Sequence, residues 1–396
     1  MRRQVLVLAA AQAIFQTAAA LVMTVGGLAG AKLAHSTTLA TLPIATMFLG
    51  TAIGTFPASM WMTRVGRRAG FVLGALVGVV GGLVGAFGIW ISSLEMLAAG
   101  TFLVGIYQAF SQFYRFAASE VADEAYRPRA IALVLAGGII AAFAGPWLAR
   151  IGGPLLAPVY AGSFLLLALV SLLGAAVLMV LHMPAPAAAL GRATGRPLRK
   201  IVCQPIYLSA LFGAGTGYGI MILAMTATPI AMVHHHHSLT SAATVIQLHM
   251  LGMFAPSFFS GGLIARFGVR RVMLAGIFLL AFHVLATMTG TGFGSFATAL
   301  VLLGVGWNFL YIGGTTLLTT TYMPEEKGRA QAFNDMTIFA VGLTCSFAAG
   351  ALLDFLGWQR LNLVLLPWLG VAAVLLLWQE VRARCNDVQA IAGSAP

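Results

Sequence analysis

Charge is what this chain has least of. Only 8% of its 396 residues are Asp, Glu, Lys or Arg, and acids are the scarcer sign, ten against 22 bases. A soluble protein of this length needs a charged surface, so that class is excluded. Cysteine is nearly missing too. Cys203, Cys345 and Cys385 have no framework spacing, and no structural disulfide is expected. Short segments of alternating polarity are absent, which argues against a transmembrane β-barrel. No G-x-x-x-x-G-K-[ST] loop occurs, so ATP is not expected to drive this chain. Neither H-E-x-x-H nor a Ser/Lys pair is found, so the chain is not expected to be an enzyme, and no cofactor is expected.

What is present is apolar sequence. Hydrophobic residues make up 60% of the chain, with a mean hydropathy of +0.95. Runs of about 20 apolar residues recur, the length a helix needs to cross the hydrocarbon core. The expected fold class is an all-α polytopic membrane protein. Breaks at charges, Pro/Gly turns and polar clusters give twelve spans, near 5–29, 38–62, 69–92, 95–119, 130–150, 156–181, 204–229, 241–265, 269–289, 293–320, 330–353 and 358–380. The first follows Arg2 and Arg3 and is read as an uncleaved transmembrane helix rather than a signal peptide.

The bases then set an orientation. Lys32, Arg150 and Arg360 fall in outer segments, and Arg115 falls inside a span. The remaining 18 of the 22 fall in segments on the side of the N-terminus. That asymmetry predicts a multi-pass protein of a bacterial inner membrane with both termini cytoplasmic. It also explains the isoelectric point near 10.4 without nucleic acid as a partner. The segment 182–203, with Pro184, Pro186, Pro197 and four bases, reads as a cytoplasmic linker. It separates an N-terminal six-helix bundle, 1–181, from a C-terminal one, 204–396.

The two blocks resemble each other. TRVGRRAGFVLGA at 63–75 matches ARFGVRRVMLAG at 265–276, with Arg64 and Arg266 separated by 202. PRAIALVL at 128–135 matches GRAQAFND at 328–335, with Arg129 and Arg329 separated by 200. HSTTLAT at 35–41 matches HSLTSAA at 237–243, again 202 apart. Six spans per block make this a parallel repeat, a design that lets two bundles rock about a site between them. A duplicated scaffold without transport is the alternative.

On these residues the chain resembles the major facilitator superfamily, whose signature between the second and third helices reads G-x-x-x-D-R-x-G-R-R. Here SMWMTRVGRR at 59–68 keeps Arg64, Gly66, Arg67 and Arg68, with Ser59 for the glycine and Thr63 for the aspartate. The second copy, GGLIARFGVRR at 261–271, keeps Gly261, Arg266 and Gly268, with Ala265 for the aspartate. The resemblance implies a cytoplasmic gate locked by charges. With the acid gone, Glu120, Asp123 and Glu124 are expected to serve as its latch against Arg67 and Arg68. The plainer account is that basic loops simply lie inside, where exposed ion pairs are worth about 0–1 kcal/mol. Thr101 stands where family members often carry an arginine. Gly145-Pro146 fits the antiporter pattern, but Ala141, Ala149 and Arg150 do not. FSQFYRFAASE (110–120), MLGMFAPSFFSGGLIARFG (250–268) and AFNDMTIFAVGLTCSFAAGALLDFLGW (332–358) are similar to a bacterial subgroup associated with riboflavin uptake.

Polar residues inside spans mark candidate contacts. Gln108, Ser111, Gln112, Arg115 and Ser119 recur at helical spacing on helix 4, flanked by Tyr107 and Tyr114. Arg115 has three readings: an anion contact, a partner for an acid, or a side chain snorkelling to the inner surface. Asn308, Tyr311, Thr315 and Thr319, beside Trp307, form a second stripe, and Gln12 and Gln16 sit on helix 1. Such a cavity suits a planar or amphipathic organic solute, although hydrogen bonding between helices explains each stripe equally well. Asp335, beside Asn334, carries a proton or, the favoured reading, caps helix 11.

The leading expectation is a secondary transporter of a small organic solute working by alternating access, with protons as a candidate co-substrate. Riboflavin uptake and drug or metabolite efflux are the alternatives, and a monomer is expected. A sensor or a metal transporter ranks lower. The histidine run His234–His237 reads first as a solvated loop, then as a contact at the outer mouth, and last as a metal ligand. No metal site is predicted. His249 and His283 are the in-span histidines.

Overall fold

The computed structural model describes residues 2–33, 39, 42–183 and 195–392, the side chains of Leu239 and 381–392 excepted. Expectations placed on His35, on residues 184–194 of the linker and on the side chains of Arg382, Arg384 and Cys385 lie outside the described residues. Among the described residues there is no strand.

Ten helices have the length and hydropathy to cross a bilayer. They are α1 (Arg2–Leu33), α2 (Leu42–Val65), α3 (Arg67–Trp90), α4 (Leu94–Val121), α5 (Arg127–Leu155), α6 (Ala161–Met179), α7 (Pro205–His234), α8 (Thr240–Phe267), α9 (Val269–Met288) and α10 (Phe293–Leu318). A further apolar run spans Lys327–Glu380, 54 residues. At 1.5 Å per residue it would measure about 80 Å, far beyond a core of about 30 Å, so it is not one crossing. The chain turns at Gly357, whose φ is 72°. That gives α11 (327–356) and α12 (358–380), and twelve crossings among the described residues. The sixth begins at Ala161 rather than near 156, because Leu156–Tyr160 is not helical.

The bilayer explains which face of each helix is buried. On α3, Gly70, Gly74, Gly78, Gly81, Gly85 and Gly88 are buried, while Leu73, Leu76, Val80, Leu83, Phe87 and Trp90 are exposed. Both series follow helical spacing, and the large apolar side chains point outward. In lipid, burial is driven by close packing of small residues rather than by escape from water, and this pattern is the result. A Cβ at Gly105 on α4 would run into the Met47 carbonyl of α2.

Two compact units make up the chain. Unit 1 comprises Met1–Gly195 and Pro324–Met336; unit 2 comprises Arg196–Met323 and Thr337–Pro396. In unit 1, α3 packs on α4 and α6, and α4 on α2. In unit 2, α9 packs on α10 and α12, and α10 on α8. The same pairs recur six helices later, so the sequence repeat is also a packing repeat. Gly66 and Gly268, 202 apart, both have positive φ, 93° and 87°. Each opens a corner that L side chains enter only with strain. Arg68 donates to the Met179 carbonyl at 2.6 Å, and its counterpart Arg270 approaches Glu380, which is 201 residues after Met179, at 3.7 Å.

The units differ from the sequence halves in one place. Pro324–Met336, the approach to α11 and its first turns, belongs to unit 1 rather than to the C-terminal bundle. The charges that hold it there form the first part of the site.

Candidate functional site

Lys327, Gln331 and Asp335 are four residues apart and share one face of α11. In unit 1 that face meets α3 and α4. The Nη2 of Arg115 donates to Asp335 Oδ1 at 2.6 Å, and both side chains are almost wholly enclosed, 2% and 1% exposed. Nη1 of Arg115 is held by the carbonyl and the Oε1 of Gln112 at 3.2 and 3.1 Å, and its guanidinium lies over Phe116. Asn334 Nδ2 donates to the same Asp335 oxygen at 2.9 Å. Asp335 Oδ2 is buried with no hydrogen-bond partner among the described residues.

One turn toward the chain reversal lies a second cluster. Arg67 donates to Glu120 Oε1 at 2.7 Å and to Gln331 Oε1 at 2.5 Å. Lys327 Nζ reaches the other Glu120 oxygen at 2.8 Å. Ser59, at the signature's missing glycine, donates its hydroxyl to the Gly328 carbonyl at 2.9 Å. A Cβ at Gly328 would collide with Thr63, the residue at the missing aspartate. Small residues replace the signature's glycine and acid, and α11 packs directly against them.

Several expected contacts fall elsewhere. Asp335 does not cap α11: the helix begins at Lys327, and eight residues put Asp335 about 12 Å inside it. Arg115 does not snorkel, since it is enclosed and bound to an acid. Asp123 accepts from the Tyr126 backbone N–H at 2.8 Å, which shapes the turn before α5. Arg68 goes to Met179, and Arg64 and Glu124 are exposed. Lys327, Gln331 and Ser59 were not foreseen, although the four-residue spacing of Lys327, Gln331 and Asp335 is a usable signal.

On α4 the polar stripe keeps its helical register. Thr51 of α2 donates to Gln108 Oε1 at 3.0 Å, and Ser111 donates to the Gln108 carbonyl. Thr101 bonds Thr46 at 2.8 Å, so the position of the family arginine is a link from α4 to α2. Tyr107 and Tyr114 turn away from the stripe into the bundle. Tyr107 packs edge-on against Phe15 of α1 at 4.9 Å, and Tyr114 against Phe71 of α3 at 4.7 Å. On α1, Gln12 is buried and Gln16 half-buried.

Unit 2 contributes aromatic surface. Trp307 and Tyr311, one turn apart on α10, stack at 4.8 Å with 16° between the rings. Phe254 of α8 meets Trp307 edge-on at 6.0 Å. Tyr218 of α7 lies 6.3 Å from Tyr311 and 5.4 Å from Phe339 of α11. Four helices thus supply one aromatic series. Phe254, Tyr218 and Phe339 were invisible in sequence because they belong to helices distant from α10. Asn308 is committed elsewhere, donating to the Met253 carbonyl at 2.7 Å and Ser257 Oγ at 2.6 Å. Thr315 is buried on the same helix.

The histidine run is partly structural. His234 ends α7, His236 has φ 64°, and His237 Nε2 lies 2.7 Å from the Thr291 carbonyl. His234, His235 and His236 are exposed. Among the described residues no group of three His, Cys, Asp or Glu side chains is arranged to hold a metal.

Comparison with known proteins agrees with this architecture. The riboflavin transporter RfnT of Brucella anthropi is 40% identical over 95% of both chains. The uncharacterized transporter YddS of Bacillus subtilis is 29% identical over 90% of this chain and 84% of its own. Among solved structures, the fucose:proton symporter FucP of E. coli superposes with a TM-score of 0.77 at 17% identity, covering 94% of this chain and 98% of its own. That likeness speaks for the fold alone. The Major Facilitator Superfamily model matches twice, over residues 6–228 and 208–392, once for each repeat. With its twelve crossings and duplicated packing, this chain belongs to the Major Facilitator Superfamily and is a multi-pass membrane transporter, not an enzyme.

Proposed function

We propose that this transporter takes up riboflavin or a closely similar planar heteroaromatic solute, coupled to the entry of protons. The observation that carries the substrate class is the stacked Trp307–Tyr311 pair, with Phe254 edge-on to Trp307 and Tyr218 tilted against Tyr311. Such rings suit a flat solute, since offset and edge contacts between aromatic groups add about 0.5–1.5 kcal/mol beyond burial. The 40% identity to a riboflavin transporter supports the same choice. Gln108, Ser111 and Gln112 on α4, with Gln12 and Gln16 on α1, are the proposed polar contacts. A ring system with few hydroxyls needs few of them.

Asp335 is the proposed proton carrier. Its Oδ2 is buried with no hydrogen-bond partner among the described residues, while Arg115 holds Oδ1. Protonation would weaken the pair with Arg115 and free the start of α11. Glu120, Arg67 and Lys327 form the accompanying latch. The basic segments favour cytoplasmic termini in a bacterial inner membrane, and the protein is proposed to act as a monomer.

The test is uptake of labelled riboflavin by a riboflavin auxotroph expressing this chain, with acid outside. Uptake stimulated by the gradient is expected, and Asp335→Asn should remove the stimulation. Absence of riboflavin uptake would refute the substrate. Gradient-driven extrusion of the same compound would instead favour the efflux reading.

A further inference from the structure

Two histidines without counterparts in the first repeat are enclosed in unit 2. His249 on α8 and His283 on α9 are both fully buried. At the 202-residue offset their equivalents are Met47 and Gly81. His249 Nδ1 lies 2.8 Å from the Leu300 carbonyl, and His283 Nδ1 lies 2.9 Å from the Ala299 carbonyl, neighbours on α10. His283 Nε2 is 3.0 Å from Asn362 Oδ1, and Asn362 Nδ2 donates to the Trp358 carbonyl at 2.8 Å.

Counting protons decides what this cluster holds. The carbonyls of Ala299 and Trp358 only accept. Asn362 offers one donor and one acceptor between Trp358 and His283. A neutral imidazole has a single N–H. Given to Ala299, that N–H leaves Nε2 bare, so Asn362 must turn its amide to donate. Its oxygen then opposes the Trp358 carbonyl. Given to Asn362, the N–H leaves a bare Nδ1 against the Ala299 carbonyl. Every neutral arrangement that keeps all three contacts between nitrogen and oxygen sets two acceptors against each other at 3.0 Å or less. The imidazolium satisfies all three contacts. Both amide orientations are covered, so the choice of oxygen and nitrogen in Asn362 does not enter.

The surroundings fit a proton-binding group. Burying a cation is costly unless it is paired and hydrogen-bonded; here two neutral oxygens, the Ala299 carbonyl and Asn362 Oδ1, accept both N–H groups in place of a counter-ion. The titratable group facing His283 is His249, whose Nδ1 lies 2.8 Å from the Leu300 carbonyl. Among the described residues no Asp, Glu, Lys or Arg forms an ion pair or hydrogen bond with either ring. Two further buried polar atoms in this cluster, His249 Nε2 and Trp358 Nε1, have no hydrogen-bond partner among the described residues. Toward the α7–α8 turn, Trp358 packs on Phe296 at 5.1 Å and Phe296 on His237 at 5.7 Å. The half-buried His237 is thus linked through two aromatic rings to Trp358, whose carbonyl holds Asn362.

We propose that His283 is a proton-binding site inside unit 2. With the proton bound it ties α9 to α10 through Ala299 and to α12 through Asn362. Without it, one of these ties opens. This site is separate from Asp335 and does not depend on the solute.

Histidine-selective 15N spectra of the purified full-length protein test it. One histidine, missing from the spectrum of His283→Gln, should carry protons on both ring nitrogens near about pH 6 and lose one toward about pH 9. Asn362→Leu removes an acceptor and should shift that titration at least one pH unit toward acid. Asn362→Asp, which keeps an acceptor and adds charge, should shift it toward alkali. These opposed shifts identify the signal even if His283→Gln does not fold. A single neutral tautomer from about pH 5 upward would overturn the proposal, as would a titration that neither Asn362 variant moves. No transported solute is needed, so the result stands apart from the outcome of riboflavin uptake.

Discussion

The corner between α2 and α3 and the corner between α8 and α9 share a motif and a backbone, yet only the first has a buried arginine bound to an acid. Both turn at a glycine of positive φ, and both send an arginine to the sixth helix of their bundle. At the first corner Arg67 is buried, bound to Glu120 and Gln331. At the second, the equivalent of Arg67 is Val269, and Arg270 and Arg271 meet Glu380 at 3.7 and 3.8 Å with 23% and 59% exposure. Near the places of Arg115 and Glu120 the second repeat has Thr315, Thr316, Thr320 and Thr321. Duplication copied the geometry. The buried charges stand in one copy.

The comparison breaks or sharpens on four measurements. The largest effect belongs to Arg115→Leu, which strands Asp335 as a buried carboxylate. A loss of about 3–5 kcal/mol is expected. It would appear as a lower thermal midpoint of the purified protein, and Arg115→Leu with Asp335→Leu should recover most of it. If the double variant is no better than the single one, the pair is not the source of the cost.

Next comes Arg67→Ala against Arg270→Ala. Removing a buried charged donor costs about 1–3 kcal/mol, while a partly exposed ion pair is worth about 0–1 kcal/mol. Equal losses in denaturant or thermal unfolding would remove the claimed asymmetry. Gly105→Val and Gly304→Val probe the shared part. A Cβ at Gly304 would meet the His249 carbonyl at 2.6 Å, and one at Gly105 the Met47 carbonyl. Both variants should lose about 1–3 kcal/mol by overpacking, and to a similar extent. Smallest is His237→Ala, which loses one hydrogen bond to Thr291 and about 0.5–1.5 kcal/mol. Serine at His234, His235 and His236 should leave the midpoint unchanged, and a shift as large as that of His237→Ala would show that the exposed histidines also hold the turn.

The fold was readable because its determinants are local or periodic. Apolar length, the placement of bases and the 200–202 offsets survive in one dimension, and so do the glycines that let helices touch. The site was readable only in part. Arg115, Asp335, Arg67 and Glu120 could be named, since ionisable groups in apolar spans need partners. Which acid meets which base could not, because Glu120 and Asp123 are three residues apart and only the bend of the chain separates their roles. The aromatic series was half visible: Trp307 and Tyr311 lie on one helix, whereas Phe254, Tyr218 and Phe339 join them through packing. Asn362 gave no signal, as it sits just past the turn at Gly357, far in sequence from His283.

The division between the units falls between Met336 and Thr337, inside α11 and about a third of the way along it. No loop is available there to act as a hinge. Backbone hydrogen bonds of a helix in lipid have no water to replace them, so the helix resists breaking at that point. On the function proposed above, release is instead expected in its first turns, where side chains rather than backbone make the connection. On the same proposal, the helix is a rigid strut with a mechanical fuse in its first turns, and the ion pairs of Glu120 and Asp335 are the links proposed to give way first.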